Sequence, residues 1–408
     1  MRVLGGLRGR VHTLRELIAR PLAPYYLIFG ITALLLMLGL AMVLSTGSIK
    51  DLTDGESPYS DFIHQFVGVL VGLPVMWLAS RSSPRVFRAV AYPLLAISII
   101  GLGLTLISGV GQSVNGASRW IDIGPVQFQP SELAKLALVL WGADLLARKE
   151  KLGLLVDWRH MLVPLMPVTG LLVMLIMVGD DLGTTCILVI IFLALLWVAG
   201  APGRVFTLML ILMGLVLLLL IVTEPYRLER ITGFLAPQAD PTGVAMQSIQ
   251  GKWALGSGGL FGVGLGAGGG KWGWVPEDWS DFIFAIIGEE LGLVGTLCVT
   301  ALYGALAYAG LRVARRAEDT FSRLAAAAIT IWIVVQAVIN MGAVIRVLPI
   351  TGVPLPLVSE GLSSVLVTMV ALGMLMSFAR REAGAQEALA ARGPSVGEHV
   401  LSWLGRGK

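Results

Sequence analysis

The chain has 408 residues, of which 56% are hydrophobic and only 14% are charged, and its mean hydropathy is +0.82. Soluble domains average about 25% charged residues, so this composition excludes an ordinary soluble protein and indicates an all-α membrane protein. The formal net charge of +4 does not indicate nucleic-acid binding, because membrane proteins keep an excess of Lys and Arg in their cytoplasmic loops.

Ten apolar stretches are long enough to cross a bilayer, which takes about 20 residues per helix. They lie near residues 24–46, 60–80, 89–110, 131–147, 161–179, 181–200, 204–223, 281–311, 322–347 and 357–379. The N-terminal segment and every second loop are basic, which predicts that both termini are cytoplasmic. We therefore expect a single transmembrane domain over residues 22–380, a polytopic bundle of about ten helices. A cytoplasmic segment (residues 1–21) precedes it and a cytoplasmic tail (residues 381–408) follows it.

The opposite side of the membrane is predicted to hold the larger irregular segments, at residues 47–59, at 111–130 and in an extracytoplasmic loop at 224–280. Irregular backbone this apolar cannot face lipid with unpaired amides, so we expect it to pack on the bundle or line a cavity. The glycine-rich run at 256–270 contains G-x-G-x-x-G patterns. No strand precedes this run, so it does not predict a nucleotide site.

Ionisable residues at membrane depth are costly and are therefore candidates for function. In the run QPSELAK, Pro130 suits the first turn of a helix, and Glu132 and Lys135 lie three residues apart on one face, where they can pair. Such a pair either fixes helix packing or shapes a substrate cavity, and the residues leave both open. Asp180 and Asp181 precede a further span, and capping of that helix is the favoured reading.

Asp281 stands where an external loop enters a helix, and Glu289 and Glu290 follow within the same span. A carboxylate at a helix N-terminus is stabilised by the helix dipole and can act as a general base. A first-turn acid without catalytic function fits the bare sequence better. Cations on the same side suggest an anionic ligand such as a pyrophosphate, although ordinary surface charge explains any single one equally well. These cations are Arg119, Arg227, Arg230, Lys252 and Lys271.

Several segments, in this order, resemble the SEDS family (shape, elongation, division and sporulation proteins) over roughly residues 24–380. They read NGASRWIDIG and QPSELAKLAL, DLGTT, LERITGFLAP, QSIQGKWALGSGGLFGVGLG, VPEDWSDFIFAIIGEELGLVG and LPITGVPLPLVSEGLSS. The division branch of the family resembles the chain more closely than the elongation branch. The chain departs from the family pattern at Asp180, at Trp279-Ser280 before the acid, and at Glu360 and Leu362 in the last segment.

The resemblance implies a multi-pass peptidoglycan glycosyltransferase of the bacterial cytoplasmic membrane that polymerises lipid II at the outer face during septal cell-wall synthesis. It implies inversion at the donor sugar, Asp281 as the general base and undecaprenyl pyrophosphate as the leaving group. The implied partners are a class B penicillin-binding protein transpeptidase and other division proteins. No metal ligands are predicted, and assistance by Mg²⁺ or Mn²⁺ stays open. The residues expected to bind lipid II and its pyrophosphate are Arg119, Lys271, Glu132, Lys135, Arg227, Arg230, Lys252, Ser359 and Ser363.

Two other functions use the same features. A lipid II flippase would need the lipid-binding cavity and the intramembrane Glu132, Lys135, Glu289 and Glu290, but it would not need a base at Asp281. A division scaffold would recruit the class B penicillin-binding protein and would tolerate substitution of Asp281. Substitution of this one aspartate therefore separates an enzyme from both alternatives.

Overall fold

The computed structural model describes residues 20–53, 55, 57–107, 109–114, 117–124, 126–222, 228, 232–236, 246–272 and 279–390. The first half contains helices α1 (Ala23–Thr53), α2 (Ser60–Arg81), α3 (Pro84–Thr105), α4 (Pro130–Lys151), α5 (Trp158–Leu162), α6 (Leu165–Val178) and α7 (Leu182–Val198). The second half contains α8 (Gly203–Val222), α9 (Met246–Ser257), α10 (Ile283–Arg316), α11 (Thr320–Val344), α12 (Leu362–Ala379) and α13 (Ala385–Ala390). A short 3₁₀ turn (Leu154–Val156) precedes α5.

Each of the ten predicted spans overlaps a helix, with α5 and α6 together forming the fifth. Seven helical stretches in the described part of the chain are long and apolar enough to cross a membrane. Of the other three, α7 has 17 residues, α8 is strongly apolar after Arg204, and α4 carries several charges. The prediction of an all-α polytopic membrane protein is confirmed.

The centre of the bundle is formed by α4, α11 and α12. In the apolar stretches of α12 and α11, 83% and 72% of the residues are buried inside the protein, whereas in that of α3 only 28% are. Most of α4 is buried as well, although it contains the charged residues Glu132, Lys135 and Asp144. Apolar side chains on the outer helices α2, α3 and α8 remain exposed, as expected of surfaces that face lipid.

The long helix α10 is interrupted at Gly292, where φ is +69° and ψ is −165°. A Cβ at this position would lie 2.3 Å from Gly262 N, so only glycine fits here without displacement of the neighbouring backbone. The glycine-rich loop that follows α9 pairs with the backbone groups that the break releases. Val263 N donates to Glu289 O (2.9 Å) and Leu293 N donates to Gly259 O (2.9 Å). The prediction that irregular apolar backbone packs on the bundle holds for this loop.

The segment predicted to be irregular at 111–130 instead contains a three-stranded antiparallel sheet, in the order β1 (Gly111–Val114), β2 (Ala117–Ile123) and β3 (Val126–Phe128). The strands are too short to give a clear alternation of polar and apolar residues, so the sequence pattern did not indicate them. Gly124 has a φ of +67°, the left-handed backbone conformation that the tight connection between β2 and β3 requires. β2 packs against α3 and α4.

The basic loops meet at one end of the bundle, which we call the basic end. There Arg88 Nε contacts Asp144 Oδ1 at 2.6 Å. Arg312 links the segment before α1 to the segment after α12, because it donates to Arg20 O (3.0 Å) and contacts Glu382 Oε1 (3.5 Å). The opposite end, where α4, α7, α10 and α12 begin, is called the site end. Residues 1–19 and 391–408 lie outside the described part of the chain, so the predicted cytoplasmic segments stay predictions.

Candidate functional site

Asp281 lies at the site end, in the turn directly before α10, and is half-buried. Its carboxylate faces Gly352 in the segment between α11 and α12. A Cβ built on Gly352 would lie 3.4 Å from Asp281 Oδ2, and the φ of this glycine is +69°. The glycine therefore allows backbone to approach the carboxylate closely. This arrangement leaves one side of the carboxylate lined by main chain.

The turn that carries Asp281 is held through its backbone by α11 and the segment that follows it. The carbonyl oxygens of three consecutive residues, 279, 280 and 281, each accept a hydrogen bond from this part of the chain. The three bonds run from Glu360 N to Trp279 O (3.1 Å), from Ser359 Oγ to Ser280 O (2.6 Å) and from Asn340 Nδ2 to Asp281 O (2.8 Å). A network of buried bonds holds such a turn in one position.

The two predicted serines, Ser359 and Ser363, connect this segment to other helices. Ser359 is 3% exposed, and its carbonyl accepts a bond from Gln65 Nε2 on α2 (3.3 Å). Ser363 Oγ accepts a bond from Gln129 N (3.1 Å), next to the start of α4, and donates to Gln127 O (3.3 Å). Both hydroxyls are thus engaged within the protein, and a role of either one in substrate binding stays a prediction.

Glu132 and Lys135 form the predicted pair, with 2.7 Å between Lys135 Nζ and Glu132 Oε1. Both residues are 1% exposed. Lys135 Nζ also donates to Gln336 Oε1 on α11 (3.1 Å) and lies 5.2 Å from the centre of the Trp332 ring. The pair therefore joins α4 to α11 in the middle of the bundle. Of the two functions left open by the sequence, this geometry favours helix packing.

Lys271 lies in a second buried network that joins α1, the glycine-rich loop and α10. Its ammonium group donates to Glu290 Oε1 (3.1 Å), Ser45 Oγ (2.9 Å) and Gly266 O (2.7 Å). Ser45 Oγ in turn donates to Glu290 Oε1 (2.7 Å). An ammonium group has three N–H donors. All three are used here, so contact with a substrate anion would require rearrangement.

Glu289, the neighbour of Glu290, occupies a cradle of backbone amides. Gly269 N donates to Glu289 Oε1 (2.8 Å), and Gly270 N lies 3.0 Å from Oε2. Consecutive backbone N–H groups of this kind form anion-binding concavities. The glycine-rich loop therefore binds a carboxylate of its own chain.

The predicted cations differ in their surroundings. Arg119, on β2, donates through Nη2 to Asp180 O, while its Nε is buried and has no hydrogen-bond partner among the described residues. Lys252 on α9 is exposed, whereas Arg227 and Arg230 lie outside the described residues.

The predicted cap of α7 is confirmed, because Asp181 Oδ1 accepts a bond from Thr184 N at 3.0 Å.

Residues 25–384 match a family model that is described as Cell cycle protein and that groups FtsW, RodA and SpoVE. The chain belongs to this family, the SEDS family. Among its relatives, the probable peptidoglycan glycosyltransferase FtsW of Mycobacterium tuberculosis is 43% identical over 376 residues, which cover 92% of this chain and 71% of the relative. Stage V sporulation protein E of Bacillus subtilis is 35% identical over 362 residues, which cover 88% of this chain and 97% of the relative. The resemblance predicted from the motifs is confirmed.

Two solved structures show that the SEDS fold extends over most of the chain. The first is described as "Structural coordination of polymerization and crosslinking by a peptidoglycan synthase complex". Its matching chain has a TM-score of 0.69 at 29% identity, covering 88% of this chain and 97% of the other. The second is RodA of Thermus thermophilus, with a TM-score of 0.64 at 28% identity, covering 87% of this chain and 96% of the other.

Several polar residues at the site of this SEDS protein were not predicted from the sequence. Asn340 and Gln336 are buried amides on α11, and Gln65 is a buried amide on α2. Arg346, with φ +59°, donates to Phe234 O (3.1 Å) from the site end of α11. The available signal was an amide or a guanidinium inside or beside an apolar span, because such groups are costly in a membrane unless they find partners.

The described residues contain no group of three or more His, Cys, Asp or Glu side chains arranged to hold a metal ion. Pyrophosphate oxygens can also be bound by Arg and Lys, through charge-assisted hydrogen bonds.

Proposed function

We propose that this SEDS protein is a peptidoglycan glycosyltransferase that polymerises lipid II during cell division, with Asp281 as its general base. The observation that supports this most strongly is the half-buried Asp281 carboxylate at the start of α10, in a turn whose carbonyls at residues 279–281 are all hydrogen-bonded. A base must be held near the proton it removes, and three hydrogen bonds to consecutive carbonyls hold this turn. The relatives named as probable FtsW glycosyltransferases support the reaction class.

The reaction joins two lipid-linked disaccharides. The 4-hydroxyl of the acceptor GlcNAc attacks C1 of the donor MurNAc, and Asp281 takes the hydroxyl proton as the new C–O bond forms. The bond from C1 to the pyrophosphate breaks on the opposite face of the sugar, so the α-linkage becomes β and undecaprenyl pyrophosphate leaves. One carboxylate acting as a base is sufficient, because no glycosyl-enzyme intermediate forms. A second carboxylate serving as nucleophile, as in retaining glycosidases, is not needed.

The leaving pyrophosphate accumulates negative charge and needs cations that are already in place. Arg119 is the strongest candidate among the predicted cations, because its Nε is buried without a hydrogen-bond partner among the described residues. Lys252 is exposed, and it lies with Arg227 and Arg230 in the predicted extracytoplasmic loop at 224–280, so these three residues are further candidates. Lys271 is a weaker candidate, because Glu290 already neutralises it.

The site end faces the outside of the bacterial cytoplasmic membrane in this proposal, and both termini are cytoplasmic. The support is the gathering of basic residues at the other end, since Lys and Arg favour cytoplasmic loops. The partner is a class B penicillin-binding protein that cross-links the new strand, together with other division proteins. The similar chain in a peptidoglycan synthase complex supports a partner of this kind.

The test is glycan-strand formation from purified lipid II by the full chain in detergent, with and without the cognate class B penicillin-binding protein. The wild type should form polymer, and Asp281→Asn should form none. Asp319→Asn is the matched control, because Asp319 caps α11 at the basic end through a bond from Ser322 N (3.0 Å), and asparagine caps equally well. This control should polymerise at the wild-type rate.

Absence of polymer from the wild type in both conditions would contradict the proposal. Transfer of labelled lipid II across vesicles by the same protein would then favour a flippase. Normal recruitment of the penicillin-binding protein without transfer would favour a scaffold.

A further inference from the structure

The bonds that hold the Asp281 turn come from two side chains as well as from main chain. Main-chain bonds such as that from Glu360 N to Trp279 O are available to almost any sequence. The amide of Asn340 and the hydroxyl of Ser359 are specific to their residue types. Each of these side chains uses all of its hydrogen-bond donors within the protein.

Asn340 is 2% exposed and uses its amino group twice. Nδ2 donates to Asp281 O (2.8 Å) and to Val353 O (2.8 Å). A side-chain amide has two N–H donors, so both are occupied. Asn340 thereby joins the backbone of the proposed base to the residue that follows Gly352, the glycine against which the Asp281 carboxylate lies.

Ser359 is 3% exposed and also has no free donor. Its Oγ donates to Ser280 O (2.6 Å) and accepts a bond from Leu355 N (2.8 Å). A hydroxyl has a single O–H donor. That donor is committed to the residue directly before Asp281, so the hydroxyl acts on the turn and not on the space where a substrate would lie.

We infer that Asn340 and Ser359 are positioning residues for Asp281, and that Ser359 does not contact lipid II. This inference rests on the proposed function of Asp281. Loss of either side chain frees one carbonyl of the turn and lets the carboxylate drift from the acceptor hydroxyl. Displacement of about 1 Å from reacting geometry can cost on the order of a hundredfold in rate. Substrate binding, which depends on other groups, should change little.

The experiment measures kcat and KM for lipid II polymerisation by the full chain in detergent, with rates normalised to the protein that binds lipid II. Asn340→Ala and Ser359→Ala should each lower kcat by about tenfold or more, with KM within about twofold of wild type. Ser359→Thr keeps the hydroxyl and should recover most of the lost kcat. Because Ser359→Ala removes a single oxygen atom, it leaves packing almost unchanged and carries the test even if Asn340→Ala is poorly folded.

Thr330→Ala is the matched control, because Thr330 is also buried on α11 but its hydroxyl donates only along its own helix, to Ala326 O (2.7 Å). Its kcat should stay within about twofold of wild type. A raised KM with unchanged kcat in Ser359→Ala would overturn the inference and restore a substrate contact. Wild-type kcat in both alanine variants would also overturn it, while leaving the proposed function intact.

Asp281→Asn is measured in parallel to separate the two claims. An inactive Asp281→Asn with normal alanine variants contradicts the positioning role alone. A fully active Asp281→Asn contradicts the proposed function, and the positioning assignment falls with it.

Discussion

Two buried lysines, Lys135 and Lys271, each contact a carboxylate in the interior of the bundle, at 2.7 Å and 3.1 Å. Only the first pair was predictable, because Glu132 and Lys135 are three residues apart on one helix face. Lys271 is 226 residues from Ser45 and 19 from Glu290, so no local pattern indicates that network. The partner of Asn340 was equally unpredictable, since Asp281 is 59 residues away. Sequence thus identifies costly groups at membrane depth, but long-range packing selects their partners.

Lys135→Met tests the energetic importance of the buried pair. The substitution leaves the Glu132 carboxylate buried without its cation, so the free energy of unfolding in detergent should fall by about 3–5 kcal/mol. The double variant Glu132→Gln/Lys135→Met should be more stable than the single one. Arg323→Met is the control, because its pair with Glu150 is 40% exposed on both sides and should contribute less than about 1 kcal/mol. Equal losses in Lys135→Met and Arg323→Met would show that the buried pair contributes no more than a surface one.

At the scale of elements, the ten helical spans followed from apolar length, whereas the break in α10 did not. Gly292 looks like any other glycine in an apolar run. Its φ of +69° follows from the loop at 258–264, which occupies the space a continuous helix would need. The three short strands at 111–128 were also missed, since they are defined by mutual pairing and carry little periodicity. The half of α10 before the break begins next to Asp281. The glycine-rich loop is hydrogen-bonded to the end of that half, at Glu289 and Glu290.

Gly292→Ala tests whether this break is required. Alanine at φ +69° and ψ −165°, a region that is essentially restricted to glycine, costs about 1–3 kcal/mol. The contact of its Cβ with Gly262 N at 2.3 Å adds about 1–3 kcal/mol. The melting temperature and the polymerisation rate should therefore both fall. Gly304→Ala on the same helix has nothing within 4 Å of its Cβ and should be neutral or stabilising by up to about 1 kcal/mol. A Gly292→Ala variant as stable and active as Gly304→Ala would indicate that α10 can be continuous.

At the scale of the whole molecule, the two ends of the bundle separate activity from stability. The site end contains Asp281 and its supports. At the basic end, Arg312 links Arg20, which precedes α1, to Glu382, which follows α12. Burial raises the pKa of the Glu382 carboxyl, and Arg312 and Arg316 act against this shift. Charge patterning in the loops was sufficient to predict which segments gather at the basic end. It could not predict that Arg312 would contact both Arg20 and Glu382.

Arg312→Met tests this separation. Arg312 is 9% exposed, and its loss leaves a buried carboxylate with a single, more exposed arginine, so unfolding should become easier by about 2–4 kcal/mol. The value of kcat, measured well below the melting temperature, should not change. A variant with wild-type stability and reduced kcat would contradict the assignment of these roles to opposite ends.

Asp281 is proposed to remove the proton of the acceptor hydroxyl. The sharpest test compares wild type with Asp281→Asn in two measurements, the polymerisation rate at saturating lipid II and the affinity for lipid II. A general base contributes about 10²- to 10⁴-fold. Asp281→Asn should bind lipid II within about threefold of wild type but react at least about a hundredfold more slowly. A well-folded Asp281→Asn that reacts within about tenfold of the wild-type rate would contradict it.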